Sequence, residues 1–134
     1  MQANIDAQIA GLGVDGQVTL AGRQSDVAHY LGSLDVFVLP SYANEGVPQA
    51  LLQAIASGLP VISCPVGGIP EVARGLETIT LVPPKDAAAL AAAMRASMTN
   101  RPSQDQRDAA RQRIAAEHSR EVMYQRALRH YLGH

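Results

Sequence analysis

Two short apolar runs, Val36-Phe37-Val38-Leu39 and Pro60-Val61-Ile62-Ser63-Cys64, constrain this chain more than any other feature. Each is nearly continuous rather than alternating, the pattern of a parallel strand covered on both faces. Between them lies the stretch Ser41 to Pro60, with a turn, an acid at Glu45 and a proline at Pro48. Proline suits the first turn of a helix, where its missing N–H costs nothing. Ala50, Leu51, Ala54 and Ile55 then give a buried stripe at helical spacing, and Gly58 stops the run. Strand, helix, strand in that order predicts a parallel pair joined by a right-handed crossover.

The remaining chain extends the same alternation. Ile5, Ile9 and Leu12 predict a helix from about Gln2 to Leu12, closed by Gly11 and Gly13. Val18-Thr19-Leu20 reads as a short strand, and Ser25 as the N-cap of a helix reaching Leu31 or Gly32. After Cys64 come the turn Pro65-Val66-Gly67-Gly68, a short helix from Ile69, and a strand over Thr78-Ile79-Thr80-Leu81-Val82. Asp86 caps an Ala-rich helix to about Met98, and Ser103-Gln104-Asp105-Gln106 is a capping box opening another helix. A last helix runs from Ser119 to about Leu132, so a helical tail spans about 103–132. The fold class is α/β, a parallel sheet with helices on both faces, and the domain is expected to be a single unit over 1–134.

Composition excludes several function classes. With 47% hydrophobic and 17% charged residues the chain has material for a core, and a net charge of −1 gives nucleic acid no general attraction. A single cysteine cannot form an internal disulfide, and no apolar run reaches the length of a membrane span. A cytoplasmic location is expected. Charge is nonetheless uneven: Arg95, Arg101, Arg107, Arg111, Arg113, Arg120, Arg126 and Arg129 face only Asp105, Asp108, Glu117 and Glu121 in the same region. This reads either as a solvated helix face with internal ion pairs or as a surface for an acidic partner or anionic lipid.

Ligands of parallel sheets sit at the carboxyl ends of strands. Three loops meet that condition: Gly22 to Asp26, Ser41 to Gln49 and Pro65 to Glu71. In the second, the helix start offers free N–H groups, at Gln49 and Ala50 in particular, to a phosphate. Glu45 can accept hydrogen bonds from hydroxyls beyond that phosphate, and Gln53 both donates and accepts, as a vicinal diol requires. On spacing alone the same residues read more simply as a helix N-terminal acid and a surface amide, because short patterns recur by chance. His29, His118, His130 and His134 have no metal spacing.

Five blocks occur in order: V-T-L-A-G from Val18, D-V-F-V-L-P-S from Asp35, E-G-V-P-Q-A-L-L-Q-A-I-A from Glu45, G-L-P-V-I from Gly58 and V-G-G-I-P-E-V from Val66. Together they resemble the C-terminal, donor-binding domain of the retaining GT-B glycosyltransferases of family 4, glycosyltransferase group 1, from about Leu12 to Met98. The tail from His118 to Tyr124 is similar to that family's closing helix. The resemblance implies a Rossmann-like sheet and a retaining hexosyltransferase. The donor would be a nucleotide sugar such as a UDP- or GDP-hexose, with no cofactor and no metal.

It places the E-x7-E pattern on Glu45 and Gln53, the first on the donor sugar and the second, an amide where the family has Glu, on the ribose. E-x7-Q favours a transferase over a GT-B epimerase. Glu45 is the residue expected to serve catalysis. Gly46, Val47, Gln49 and Ala50 are expected to cradle the pyrophosphate, and Arg23 and Gln24 to contact the base. Gly67-Gly68 is expected to be a close-packing turn beside this site.

The resemblance also implies absences. The domain's first two strands, with the Arg and Lys that neutralise pyrophosphate, have no counterpart, nor does the N-terminal acceptor domain. The chain is therefore expected to be a partial domain, inactive alone. Its expected partners are the absent acceptor domain or a second copy docking through exposed sheet edges, and the inner membrane as a peripheral surface. The strands at Val18 and Val36 are expected to pair directly or through that second copy. The alternative function is a non-catalytic nucleotide-binding or assembly module.

Overall fold

The computed structural model describes residues 2–43 and 46–132. The elements are α1 (Gln2–Leu12), α2 (Val27–Gly32), β1 (Phe37–Leu39), α3 (Gln49–Ala56), β2 (Val61–Ser63), α4 (Ile69–Ala73), β3 (Ile79–Leu81), α5 (Ala87–Thr99), α6 (Gln104–His118) and α7 (Arg120–Leu132). Three strands form one parallel sheet in the order β1-β2-β3, with Val38 opposite Ile62 and Ile62 opposite Thr80. The α/β class and the parallel pairing predicted from the apolar runs are both present. Each strand is shorter than the run predicted for it, β1 by Val36 at its start and β2 and β3 by one residue at each end.

Helices cover both faces. On one side α3, α4 and α6 pack Leu51, Ile55, Ile69, Val72, Ala110 and Ile114 into the larger core. On the other, α5 lays Ala89, Leu90 and Ala93 over a smaller cluster of Ile62, Cys64 and Val82. Central strand β2 is buried throughout, as its uninterrupted sequence requires. Within α3 the fully buried residues are Leu51, Ala54 and Ile55, each at 0% exposure, joined by Leu52. Ala50, assigned to this stripe from its spacing, is instead exposed, because it stands in the first turn beyond the reach of the sheet.

The helix ends follow local chemistry. Asp86 Oδ1 accepts from the Ala89 N–H at 2.9 Å, and Ser103 and Gln106 bond reciprocally in the predicted capping box. The N-cap of α2 is Asp26, not Ser25: its carboxylate accepts from the His29 N–H at 3.0 Å. A carboxylate facing a helix N-terminus is the stronger cap, which shifts the start by one residue.

Val18-Thr19-Leu20 is not a strand. The residues run irregularly between Gly13 and Gly22, both with positive φ, and Val18 and Leu20 are exposed. Among the described residues strand β1 pairs only with β2, so the expected direct pairing with the Val18 segment does not form. Three residues bring too few ladder bonds and too little buried surface to hold a strand without a neighbour already in place.

The arginines of the tail form the internal ion pairs that one reading expects, and also contacts to the body that neither reading named. Arg111–Asp108 and Arg113–Glu117 are ion pairs within α6, at 2.7 and 3.1 Å. Others stitch the tail to the body. Arg101 pairs with Asp35 at 2.9 Å, Arg111 Nη2 donates to the Ser57 carbonyl at 3.1 Å, and Arg113 donates to the Arg74 carbonyl. The Ser57 contact places a cation at the C-terminus of α3, where the helix dipole favours it. Gly58 makes room for it: φ is +78° and a Cβ there would collide with the Arg111 guanidinium. Among the described residues, no helix is long and apolar enough to cross a membrane.

Candidate functional site

The carboxyl end of the sheet is assembled from the loops after each strand. Ser63, fully buried on β2, donates its hydroxyl to the Leu39 carbonyl at 2.8 Å. That bond fixes the point where the chain leaves β1 and enters the loop toward α3. At the far end of that loop, Val47 is half-buried and packs on the larger core, while Gly46 is exposed. The turn after β2 presses against this segment: a Cβ on Gly68 would lie 2.7 Å from Val47 Cγ2 and 3.3 Å from its backbone nitrogen. The close-packing role expected of Gly67-Gly68 is thus seen directly, and Gly67 supplies the positive φ that aims the turn.

Helix α3 opens here without a side-chain cap, with Pro48 in the extended region at its N-cap position. The Leu51 and Leu52 N–H groups both turn back to the Pro48 carbonyl, at 3.1 and 3.3 Å. Gln49 and Ala50 occupy the positions whose N–H groups have no acceptor inside a helix. Gln49, Ala50 and Gln53 are all exposed, and their spacing sets them on one face of α3. The structure therefore brings together Gly46, Val47, Gln49, Ala50 and Gln53 on one helix start, at the carboxyl end of β1. Positive potential at such a start favours an anion.

Three sequence-derived residues are not part of this described group. Glu45 lies outside the described residues. Arg23 and Gln24 are exposed on the stretch before α2, and Gln24 spends its amide on the Ala21 carbonyl at 2.6 Å. No hydrogen bond or ion pair among the described residues ties either of them to α3.

Sequence reasoning passed over the loop after β3. Lys85 is the non-glycine residue with positive φ, 62°, among the described residues, and its Nζ stands 5.3 Å from the centre of the Tyr42 ring. This cation–π contact joins the loop after β1 to the loop after β3. Beneath it is a cavity of about 210 Å³ walled by Pro40, Cys64, Val82 and Leu90. The Pro83-Pro84-Lys85-Asp86 string after an apolar run was the available signal. It reads as a strand stop, which conceals that it is also a carboxyl-end loop.

The sequence model described as "Glycosyl transferases group 1" matches residues 1–100. The amylovoran biosynthesis glycosyltransferase AmsK of Erwinia amylovora is 38% identical over 99 residues, 69% of this chain and 24% of that protein. The putative teichuronic acid biosynthesis glycosyltransferase TuaC of Bacillus subtilis is 44% identical over 68 residues, 51% of this chain and 17% of that protein.

Among solved structures, sucrose-phosphate synthase from Thermosynechococcus elongatus superposes with a TM-score of 0.86 at 29% identity, covering 98% of this chain and 33% of that one. Anabaena HepE, solved in complex with UDP, superposes at 0.83 and 21% identity, covering 98% and 36%, and shares the fold. The chain thus spans about a quarter or less of the curated relatives named and about a third of the solved ones. With its Rossmann-like parallel sheet and a matched span covering most of its length, this chain belongs to the group 1 glycosyltransferases, and its fold is part of their GT-B architecture.

Proposed function

We propose that this chain is the donor-binding part of a retaining glycosyltransferase that passes a hexose from a nucleotide sugar to a glycan or lipid acceptor during polysaccharide assembly. The observation that carries this reading is the exposed start of α3, without a side-chain cap among the described residues, beside the close approach of Gly68 to Val47 at the carboxyl end of β1. A nucleoside diphosphate is the leaving group of such a transfer. Charge builds on its phosphates as the bond to the sugar breaks, and amides already aimed at that position stabilise the charge without reorganising. In this role the Gln49 and Ala50 N–H groups serve the phosphates, with Gly46 and Val47 shaping the approach. Glu45 holds hydroxyls of the donor sugar, and Gln53 holds the ribose diol through neutral hydrogen bonds.

The relatives' names support polysaccharide assembly as the setting: the two above are named for amylovoran biosynthesis and, as a putative role, teichuronic acid biosynthesis. The acceptor site and the basic groups facing the pyrophosphate would come from elsewhere in a complete transferase, so the chain alone is expected to bind donor without turnover. A cytoplasmic site at the inner membrane face suits that setting. Replacing Glu45 with Ala tests the reading. Titration calorimetry should show affinity for the sugar nucleotide falling about tenfold while affinity for the bare nucleotide changes little. Equal losses for both ligands would contradict a sugar-facing carboxylate.

A further inference from the structure

The loop after β3 carries a feature that the donor site described above does not use. Lys85 sits at φ 62°, a left-handed conformation that glycine adopts freely and an L-residue does not. The turn itself is required, because Asp86 must follow it to cap α5 through Ala89. A glycine would make the same turn without strain, so the lysine side chain is held there at a backbone cost. Strain of this kind concentrates at functional sites.

What the side chain does is visible. Its ammonium lies 5.3 Å from the centre of the Tyr42 ring, and both residues are exposed, Tyr42 at 70%. They line a 210 Å³ cavity with the apolar residues Pro40, Cys64, Val82 and Leu90 and with Asp86, whose carboxylate accepts from the Ala89 N–H as the cap of α5. That cavity opens beyond the ends of all three strands, since Pro40 follows β1, Cys64 follows β2 and Val82 follows β3. A cation and an aromatic face over an apolar slot fit a ligand with a planar body and an anionic group.

We propose that Lys85 is a phosphate-binding residue for the nucleoside diphosphate of the donor, with Tyr42 holding its ammonium at the carboxyl edge of the sheet. This rests on the donor-binding reading above and adds a residue to it. Lys85 supplies a positive charge at the carboxyl edge of the sheet, whereas the α3 start supplies only amides. An ammonium–phosphate contact is a charge-assisted hydrogen bond, stronger than a neutral one and weakened by salt.

The test is calorimetric titration of the chain with UDP, GDP and ADP and with their nucleosides, in wild type, Lys85→Gln, Lys85→Gly and Lys85→Arg. The nucleotide that binds should lose about tenfold in affinity in the Gln and Gly variants and little in the Arg variant. Its nucleoside should bind all four alike, and the salt dependence should flatten when the charge is removed. Lys85→Gly relieves the left-handed strain, so its melting temperature should hold or rise, which separates lost binding from lost folding. Nucleotide affinity equal across the four proteins would overturn the role of Lys85 and leave the donor reading standing. A wild-type chain that binds none of the three nucleotides would overturn both.

Discussion

The layer around α3 and the stretch before α2 make an instructive pair. Both lie within the span that matches the group 1 glycosyltransferases, yet only one of them has an interior. In α3, Leu51, Ala54 and Ile55 are wholly buried against β2 and α6. Before α2, by contrast, no described side chain is buried, and Leu12 is 76% exposed. The two stretches have comparable aliphatic residues, so composition does not separate them. What separates them is a partner: α3 packs against β2 and α6, while among the described residues the Val18 segment pairs with no strand. Stability in this chain is therefore concentrated where the candidate phosphate site also sits.

Mutations can break that contrast. Ile55→Ala should destabilise the protein by about 2–5 kcal/mol, and Leu12→Ala by less than about 0.5 kcal/mol, measured by urea unfolding. Similar losses at the two positions would mean that the N-terminal stretch is packed in solution. Next in size, Gly58→Ala should cost about 1–3 kcal/mol. It forces a Cβ into a φ of +78° and displaces Arg111 from the Ser57 carbonyl. Arg111→Met alone removes only that hydrogen bond and the partly exposed pair with Asp108, and should cost about 1 kcal/mol.

The smallest expected effect depends on pH. The Gln104 amide, and after it the Arg111 guanidinium, hold the Asp108 carboxyl below its ordinary value. A carboxyl lowered by folding stabilises the folded state above its unfolded pKa, and that contribution is lost as pH falls through the folded one. Thermal melts should therefore show a slight acid destabilisation below about pH 4 that Asp108→Asn removes. An unchanged acid limb in that variant would assign the effect to other carboxylates.

How much of this could be read in advance follows from the same contrast. Apolar runs predicted β1 and β2, because a strand covered on both faces carries few polar positions; β3, with two threonines in its run, is buried at neither Thr80 nor Leu81. The capping box at Ser103 and the cap at Asp86 were legible because they are local chemistry. Val18-Thr19-Leu20 has the composition of a strand, but a strand also needs a neighbour, and sequence pattern does not report one. In the site, Gln49, Ala50 and Gln53 were legible because helix position fixes which amides are free and which side chains share a face. Lys85 was not: its significance lies in a positive φ and in proximity to Tyr42, 43 positions earlier, neither of which any pattern encodes. The arginines of α6 looked like a solvated face until their tertiary acceptors, the carbonyls of Ser57 and Arg74, were in view.

Binding of a nucleotide by this chain itself is the most direct test of the account. Titration calorimetry with UDP, GDP, ADP and their hexose conjugates should show one nucleotide family bound with micromolar to millimolar affinity, about −8 to −4 kcal/mol. No heat of binding for any of them at millimolar concentration would contradict the assignment of the α3 start as a donor-phosphate site.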